Sequence, residues 1–463
     1  MTLSSKLRPF GLRDKLGYLF GDFGNDFTFI LSSSFLLKFY TDVMDVPAAI
    51  VGVIMMIARF VDAFTDVTVG RLCDRSRATP QGKFKPWILR ACVPVAVASF
   101  LIYQSGLRHL PLAFKVGYLF VTYILWGSVF YTAVNIPYGS MASAISSDPG
   151  DRQSLSTFRS VGSLLAGLVI GAGVPMLAYD QVEGNTILNG ARFTALAGAF
   201  SVLAVVCHLL CYFLVTERVR AGQESESRKV SIRQMLINAI SNRALIAIIA
   251  ASIVNLLATL TLQSMANYVF PNVYRSTQAQ SVATFLMTGG MLFSAAFAKP
   301  LTQRLGKAEV SGGANAVAAA ICLLLYVLRP QNVWVYVLLS TVNFMALGVF
   351  TMVSWALITD VIDHQEILTG VREDGSVYAL YSFARKLGQA ASAGLSGFLL
   401  SAIGYSQETA FDPGVVHGIY SIATLLPAVG FAILAAILFF WYPLKKTLVE
   451  SNVLELKKRH ENG

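Results

Sequence analysis

The chain has 463 residues, of which 55% are apolar and only 13% charged, with a formal net charge of +10. Soluble chains carry about 25% charged residues, and a soluble fold this apolar lacks the polar groups to cover its surface. The composition excludes a soluble enzyme, a disordered tail protein and a disulfide-stapled secreted domain, and predicts an all-α polytopic membrane protein.

A transmembrane helix needs about 20 mostly apolar residues. Such runs lie at 16–39, 46–72, 87–106, 114–143, 159–180, 191–215, 244–270, 278–301, 309–328, 332–360, 376–403 and 416–442, which predicts twelve spans. The connections are short except for the polar stretch Thr216–Arg243. The expected organisation is a six-helix bundle over 1–215, a cytoplasmic linker over 216–243, a second six-helix bundle over 244–442 and a cytoplasmic tail over 443–463. The first apolar run is long and already acidic, so no cleavable signal peptide is expected.

Lys and Arg concentrate in the N-terminal tail, the 71–90 loop, Arg152, the central linker, the 299–307 loop, Arg372 and the C-terminal tail. Only Arg108, Lys115, Arg192, Arg275 and Arg329 fall in the opposite loops. By the positive-inside rule both termini are cytoplasmic. The positive charge is therefore topological, and a nucleic-acid groove with interleaved aromatics is not expected. Cys207-His208-x-x-Cys211 lacks the haem-attachment order and reads as ordinary helix residues. No phosphate-binding Gly-x-x-x-x-Gly-Lys-Ser/Thr run supports ATP-driven transport. No nucleophile–base pair or metal cluster suggests an enzyme, and no cofactor beyond a coupling ion is expected.

Charged residues inside spans are costly and normally serve a purpose. Helix 1 carries Asp22 and Asp26, on one face with Phe29 and Ser33. Helix 2 carries Arg59, Asp62 and Asp66 on one stripe, with Thr65 beside Asp62. Two carboxylates one turn apart with hydroxyls nearby offer hard oxygen ligands for Na⁺, or share a proton, since neighbouring carboxylates raise each other's affinity for one. An Arg59–Asp ion pair is the simpler alternative and still leaves one carboxylate over. Helix 4 aligns Ser128, Thr132, Asn135 and Gly139, with Pro137 beside that face. Helix 7 spaces Asn255, Thr259, Gln263 and Asn267 by four, either a hydrophilic path or glue between helices. Helix 11 aligns Tyr378, Tyr381, Arg385 and Gln389, with Lys386 adjacent. These two cations need anionic partners, either Asp22, Asp26 or the substrate, unless they snorkel to the surface. Arg159, read as opening helix 5, is a third candidate cation. The loop Gly70-Arg71-Leu72-Cys73-Asp74-Arg75 through Gly82-Lys83-Phe84-Lys85-Pro86-Trp87 has an echo at Lys299–Lys307, which suggests an internal repeat. Two six-helix halves with substrate between them fit a rocking transporter, and Asp74 then serves as a latch between helix ends.

Asp74 with its basic neighbours resembles the cytoplasmic loop motif of the major facilitator superfamily. More specifically, four segments resemble the glycoside–pentoside–hexuronide:cation symporters, typified by the melibiose and glucuronide carriers. These are Gly21 to Phe27, Arg59 to Asp66 with Gly82 to Trp87, Asn135 to Ser140, and Asp360 and Asp363 through Arg372 to Gln389. The resemblance implies a cation site, for Na⁺ or H⁺, at Asp62, Asp66, Thr65 and Thr132, and a sugar site at Asp26, Asn135, Arg159 and Lys386. Asn25 and, on the helix 11 face, Arg385, Tyr378 and Gln389 are further candidate substrate residues, and Asp22, Arg59, Asp74, Asp360, Asp363 and Arg372 are candidates for gating ion pairs. Asn25 stands where the melibiose carrier has Lys, Thr65 where it has Asn, Asn135 where it has a sugar-binding Asp, and Gly139 where it has Trp. Losing a carboxylate at Asn135 while keeping Arg159, Arg385 and Lys386 favours a carboxylated or sulfonated sugar, whereas Asp26 suits neutral hydroxyls. The expectation is a monomeric symporter of the bacterial inner membrane importing an acidic glycoside by alternating access. A neutral glycoside is the alternative. A drug:proton antiporter, suggested by Gly167, Gly171, Gly173 and Pro175, and a lipid carrier are further rivals.

Overall fold

The computed structural model describes residues 8–77, 79–219, 242–370 and 374–462. The chain runs through long helices α1 (Leu12–Asp42), α2 (Ala48–Arg75), α3 (Lys85–Ile102), α4 (Leu112–Ile145), α5 (Pro149–Leu177) and α6 (Gly190–Leu214). The second half repeats this with α7 (Arg243–Val273), α8 (Thr277–Leu305), α9 (Lys307–Leu328), α10 (Val333–Thr369), α11 (Asp374–Ala402) and α12 (Pro413–Trp441). A final helix, α13 (Lys446–Asn462), follows. Among the described residues nine of these helices are apolar and long enough to cross a membrane, and the bent α8 makes a tenth. α1 and α11 fall outside that group although they have 31 and 29 residues. They hold the intramembrane charges that lower their hydropathy.

The helix starts follow from local chemistry. Asp148, Asn189, Asn242, Ser276 and Asn332 each accept a hydrogen bond from a first-turn N–H and so cap α5, α6, α7, α8 and α10. The Asp148 cap and Pro149 start α5 well before the sequence pattern suggests, so Arg159 lies about three turns inside the helix and does not open it. Three π-helical turns interrupt the rods: Leu125–Tyr131 in α4, Val269–Val273 in α7 and Ile437–Trp441 in α12.

Compact packing divides the chain into two units, Met1–Ser227 with Tyr405–Thr409, and Arg228–Gly404 with Ala410–Gly463. In the first unit α1 packs on α5 and α6, α3 on α6, α2 on α4, and α3 on α4. In the second, α7 packs on α11 and α12, α9 on α12, α8 on α10, and α9 on α10. Adding six to each helix number converts the first set of pairs into the second, so the echo between the two cytoplasmic loops extends to the helix packing. Gly82 (φ 124) and Gly306 (φ 104) mark equivalent turns before α3 and α9 in a backbone region that side chains avoid. Close helix approach also fixes Gly162: a Cβ there would stand 2.5 Å from the Leu19 carbonyl oxygen of α1.

Three features have no counterpart in the sequence reading. A two-stranded hairpin, β1 (Tyr179–Val182) and β2 (Asn185–Leu188), precedes α6, its turn made by Glu183 and Gly184 at positive φ. The tail forms α13, which packs on α10. The segment Tyr405–Thr409 belongs with the first unit because Lys38, 1% exposed, donates to the Tyr405 hydroxyl at 2.8 Å while pairing with Asp42 at 2.7 Å. Tyr405 in turn donates to Asp42 at 2.8 Å.

Candidate functional site

In α2 the spacings of three and four between Arg59, Asp62 and Asp66 place them on one stripe. The π-helical turn of α4 presents Ser128 to it, and Thr132 follows immediately after the turn. A π-turn adds a residue to one helical turn and so re-aims the side chains that follow, a device frequent at functional sites. Ser128 donates to Asp62 Oδ1 at 2.5 Å, and Thr132 donates to Asp66 Oδ1 at 3.0 Å. Arg59 donates to Asp62 Oδ2 at 3.1 Å, and its guanidinium lies 5.1 Å from the Phe29 ring centre. The Arg59 and Asp62 side chains are only 12% and 13% exposed. The Asp62 and Asp66 carboxylates and the Ser128 and Thr132 hydroxyls gather hard oxygen atoms of the kind a monovalent cation takes. The Thr65 hydroxyl takes a different course: it donates to the Val61 and Asp62 carbonyls of its own helix. Ser128, which the sequence places on the Thr132 face but not among the ligands, takes the position at Asp62.

On α1, Asp22 accepts from Arg159 Nε at 3.0 Å. The Arg159 guanidinium stacks 5.4 Å from the Tyr138 ring. Tyr138 is held in place by a stack on Tyr18 at 4.5 Å and by donating to the Tyr18 carbonyl at 2.7 Å. The sequence offered Asp22 as a partner of the helix 11 cations; the structure commits it to Arg159, because α1 packs along α5 and brings the two together. Asn25 is 2% exposed and its carbonyl oxygen lies 3.1 Å from His208 Nε2 on α6, so this candidate substrate residue faces a helix contact. Asn135 is half-buried on α4.

In the second unit Arg385, Lys386 and Gln389 of α11 are half-buried and Tyr378 is exposed. The Arg385 guanidinium lies 5.6 Å from the Trp355 ring and 6.0 Å from that of Tyr381. Trp355, on α10, is a residue the sequence reading missed; nothing in its spacing relates it to a residue thirty positions on. Asp360, with 6% of its side chain exposed, pairs with Lys307 at 2.6 Å, an ion pair between α9 and α10 inside this unit. Asp363 is half-buried. Arg372 and the side chain of Asp74, both candidates for gating, lie outside the described residues. In the helix 7 stripe, Asn267 accepts from Gln280 of α8 at 2.7 Å, which makes it glue between helices. Among the described residues no three His, Cys, Asp or Glu side chains gather as metal ligands.

The family described as MFS/sugar transport protein matches residues 17–446. The chain belongs to that family. It is therefore an integral membrane transporter of the major facilitator superfamily and not an enzyme. Over 94% of its length it is 31% identical to the uncharacterized symporter YjmB of Bacillus subtilis, 92% of which is covered. It is 30% identical to a putative sulfoquinovose importer of Salmonella typhimurium, over 98% of this chain and 94% of that one. It is 28% identical to the glucuronide carrier protein homolog of Escherichia coli, over 96% of each. The same MFS fold is seen in a bacterial homologue of the human lysosomal transporter Spinster (TM-score 0.66, 12% identity, 96% of this chain and 97% of that one). The nucleoside transporter NupG shares it too (TM-score 0.65, 13% identity, 93% and 99%).

Proposed function

We propose that this transporter is a cation-coupled symporter that imports an acidic glycoside, such as a glucuronide or a sulfonated sugar, by alternating access. The observation that carries the proposal is the cluster of Arg59, Asp62, Asp66, Ser128 and Thr132, whose carboxylate and hydroxyl oxygens suit a single Na⁺ or H⁺. A cation entering there meets carboxylate oxygens from α2 and hydroxyl oxygens from α4. Binding neutralises the cluster and ties the two helices together, and that tie is the physical link by which the ion biases the rest of its unit. The glycoside is read by Asp26, Asn135 and Arg159, and the Arg159 guanidinium donates charge-assisted hydrogen bonds to a carboxylate or sulfonate. Two relatives, the putative sulfoquinovose importer and the glucuronide carrier protein homolog, are named for anionic sugars, which supports this choice over a neutral glycoside. The protein acts as a monomer in the bacterial inner membrane with both termini cytoplasmic.

Coupling is reciprocal: the cation raises sugar affinity by the factor by which sugar raises cation affinity. Uptake of labelled glucuronide into proteoliposomes under an imposed Na⁺ or H⁺ gradient tests the proposal. Accumulation above the external concentration under one of the gradients is the expected result. Equilibration alone under both gradients overturns coupled transport, and accumulation of a neutral glycoside in preference to the glucuronide overturns the substrate class.

A further inference from the structure

Two tyrosines brace α1 against α4 beside the Asp22–Arg159 pair. The Tyr138 hydroxyl donates to the Tyr18 carbonyl at 2.7 Å, and the Tyr18 hydroxyl donates to the Tyr138 carbonyl at 3.4 Å. Their rings stack with centres 4.5 Å apart and planes 23° apart. The fit extends to Gly21, where an added Cβ would collide with the Tyr138 ring. A ring pinned at its hydroxyl and stacked on a neighbour has little freedom left, and the Arg159 guanidinium lies over it, 5.4 Å from its centre. Tyr18 precedes Asp22 by one turn, so one face of α1 supplies both the brace and the carboxylate that accepts from Arg159 Nε at 3.0 Å. A cation–π contact steadies a guanidinium without using its N–H donors. Held at Nε and over the ring, Arg159 keeps its two Nη groups: among the described residues no hydrogen bond uses them. Both tyrosines are buried, whereas the Arg159 side chain is 42% exposed. The tyrosines are placed to hold, and the arginine is placed to be reached.

We propose that Tyr138, braced by Tyr18, is a positioning residue that fixes the plane of the Arg159 guanidinium, so that its two Nη groups meet the carboxylate or sulfonate of the substrate as a fork. Neither tyrosine touches the sugar. An arginine ordered before the ligand arrives loses less freedom on binding, so the brace is expressed as affinity for the acid group and not for the rest of the glycoside. This rests on the acidic-glycoside reading above and adds to it the residues that make Arg159 selective.

The test uses the full-length protein in lipid nanodiscs, with 4-nitrophenyl β-D-glucuronide and 4-nitrophenyl β-D-glucoside as probes and binding measured by calorimetry. Tyr138→Leu removes the ring face and weakens the glucuronide about threefold to tenfold, within the range of a cation–π contact, and leaves the glucoside within about twofold. Tyr138→Phe recovers most of that loss because the ring and its stack remain. Unchanged glucuronide affinity in Tyr138→Leu, or an equal loss of both probes, overturns the positioning role; equal loss is what a purely structural tyrosine gives. If Tyr138→Leu fails to melt cooperatively, Tyr138→pentafluorophenylalanine decides. It keeps the shape of the ring and removes its negative face, so glucuronide binding falls selectively below that of Tyr138→Phe, and equal affinity in the two variants overturns the assignment. Wild-type protein that binds neither probe, or glucuronide binding unchanged in Arg159→Gln, overturns the reading on which the proposal rests. Glucuronide binding lost in Arg159→Gln but intact in Tyr138→Leu overturns the positioning role alone.

Discussion

Arg59 and Arg159 of the first unit each meet a carboxylate, at 3.1 and 3.0 Å, whereas the contacts of Arg385 in the second unit are two aromatic rings. The two units share one pattern of helix pairing but use it differently. The first pairs its Arg59 and Arg159 guanidiniums with carboxylates. The second keeps a cation, Arg385, whose described partners are aromatic rings. The pairing of charges thus distinguishes the two copies better than the fold does.

The largest expected effect comes from removing the two carboxylates of α2. Asp66→Asn and Asp62→Asn each abolish accumulation of labelled glucuronide in proteoliposomes, and accumulation surviving in both variants refutes the ion-site assignment. Asp62→Asn also strands Arg59, and breaking a buried pair costs about 3–5 kcal/mol. Its melting temperature therefore falls further than that of Asp66→Asn; equal melting temperatures contradict the division of labour between the two carboxylates.

Next in size is Tyr405→Phe. It deletes the hydroxyl that both accepts from Lys38 and donates to Asp42, and a buried polar group left unsatisfied costs about 1–3 kcal/mol. A lower melting temperature and faster proteolysis between α11 and α12 are expected; a wild-type melting curve shows that the network carries no stability. Asp22→Asn is smaller. The Arg159 side chain is 42% exposed, so solvent screens the pair, and the loss is about 1 kcal/mol or less. The double variant Asp22→Asn with Arg159→Gln recovers part of it; a double variant that melts no higher than the single one shows that the stranded charge is not the cause.

Thr65→Ala has the smallest effect. Its hydroxyl bonds only carbonyls of its own helix, so the cation concentration that half-saturates uptake changes less than about twofold, while loss of a direct charge-assisted ligand costs considerably more. A large shift restores Thr65 as a ligand, and Ser128→Ala then serves as the comparison.

Much of the fold was legible because its signals are periodic. Apolar runs locate the helices, and the spacing of Arg59, Asp62 and Asp66 puts them on one stripe. What stayed hidden depends on backbone irregularity or on contacts between distant residues. Ser128 reaches Asp62 through a π-turn, which has no residue signature in Leu125–Tyr131. Asp22 was visible as a charge, but its choice of Arg159 depends on where α5 begins, and a cap at Asp148 sets that. Trp355 and Tyr405 become meaningful only once α10 meets α11 and a five-residue segment docks beside Lys38. The hairpin before α6 uses strands of four residues, too short to stand out by alternation.

The central claim is that a cation held at Asp62 and Asp66 raises sugar affinity. The most direct measurement is 4-nitrophenyl β-D-glucuronide binding to purified protein with and without Na⁺, at acid and at alkaline pH, in the wild type and in Asp66→Asn. The account predicts tighter binding with Na⁺ or at acid pH in the wild type, and no such dependence in Asp66→Asn. Equal affinity under all four conditions in the wild type contradicts it.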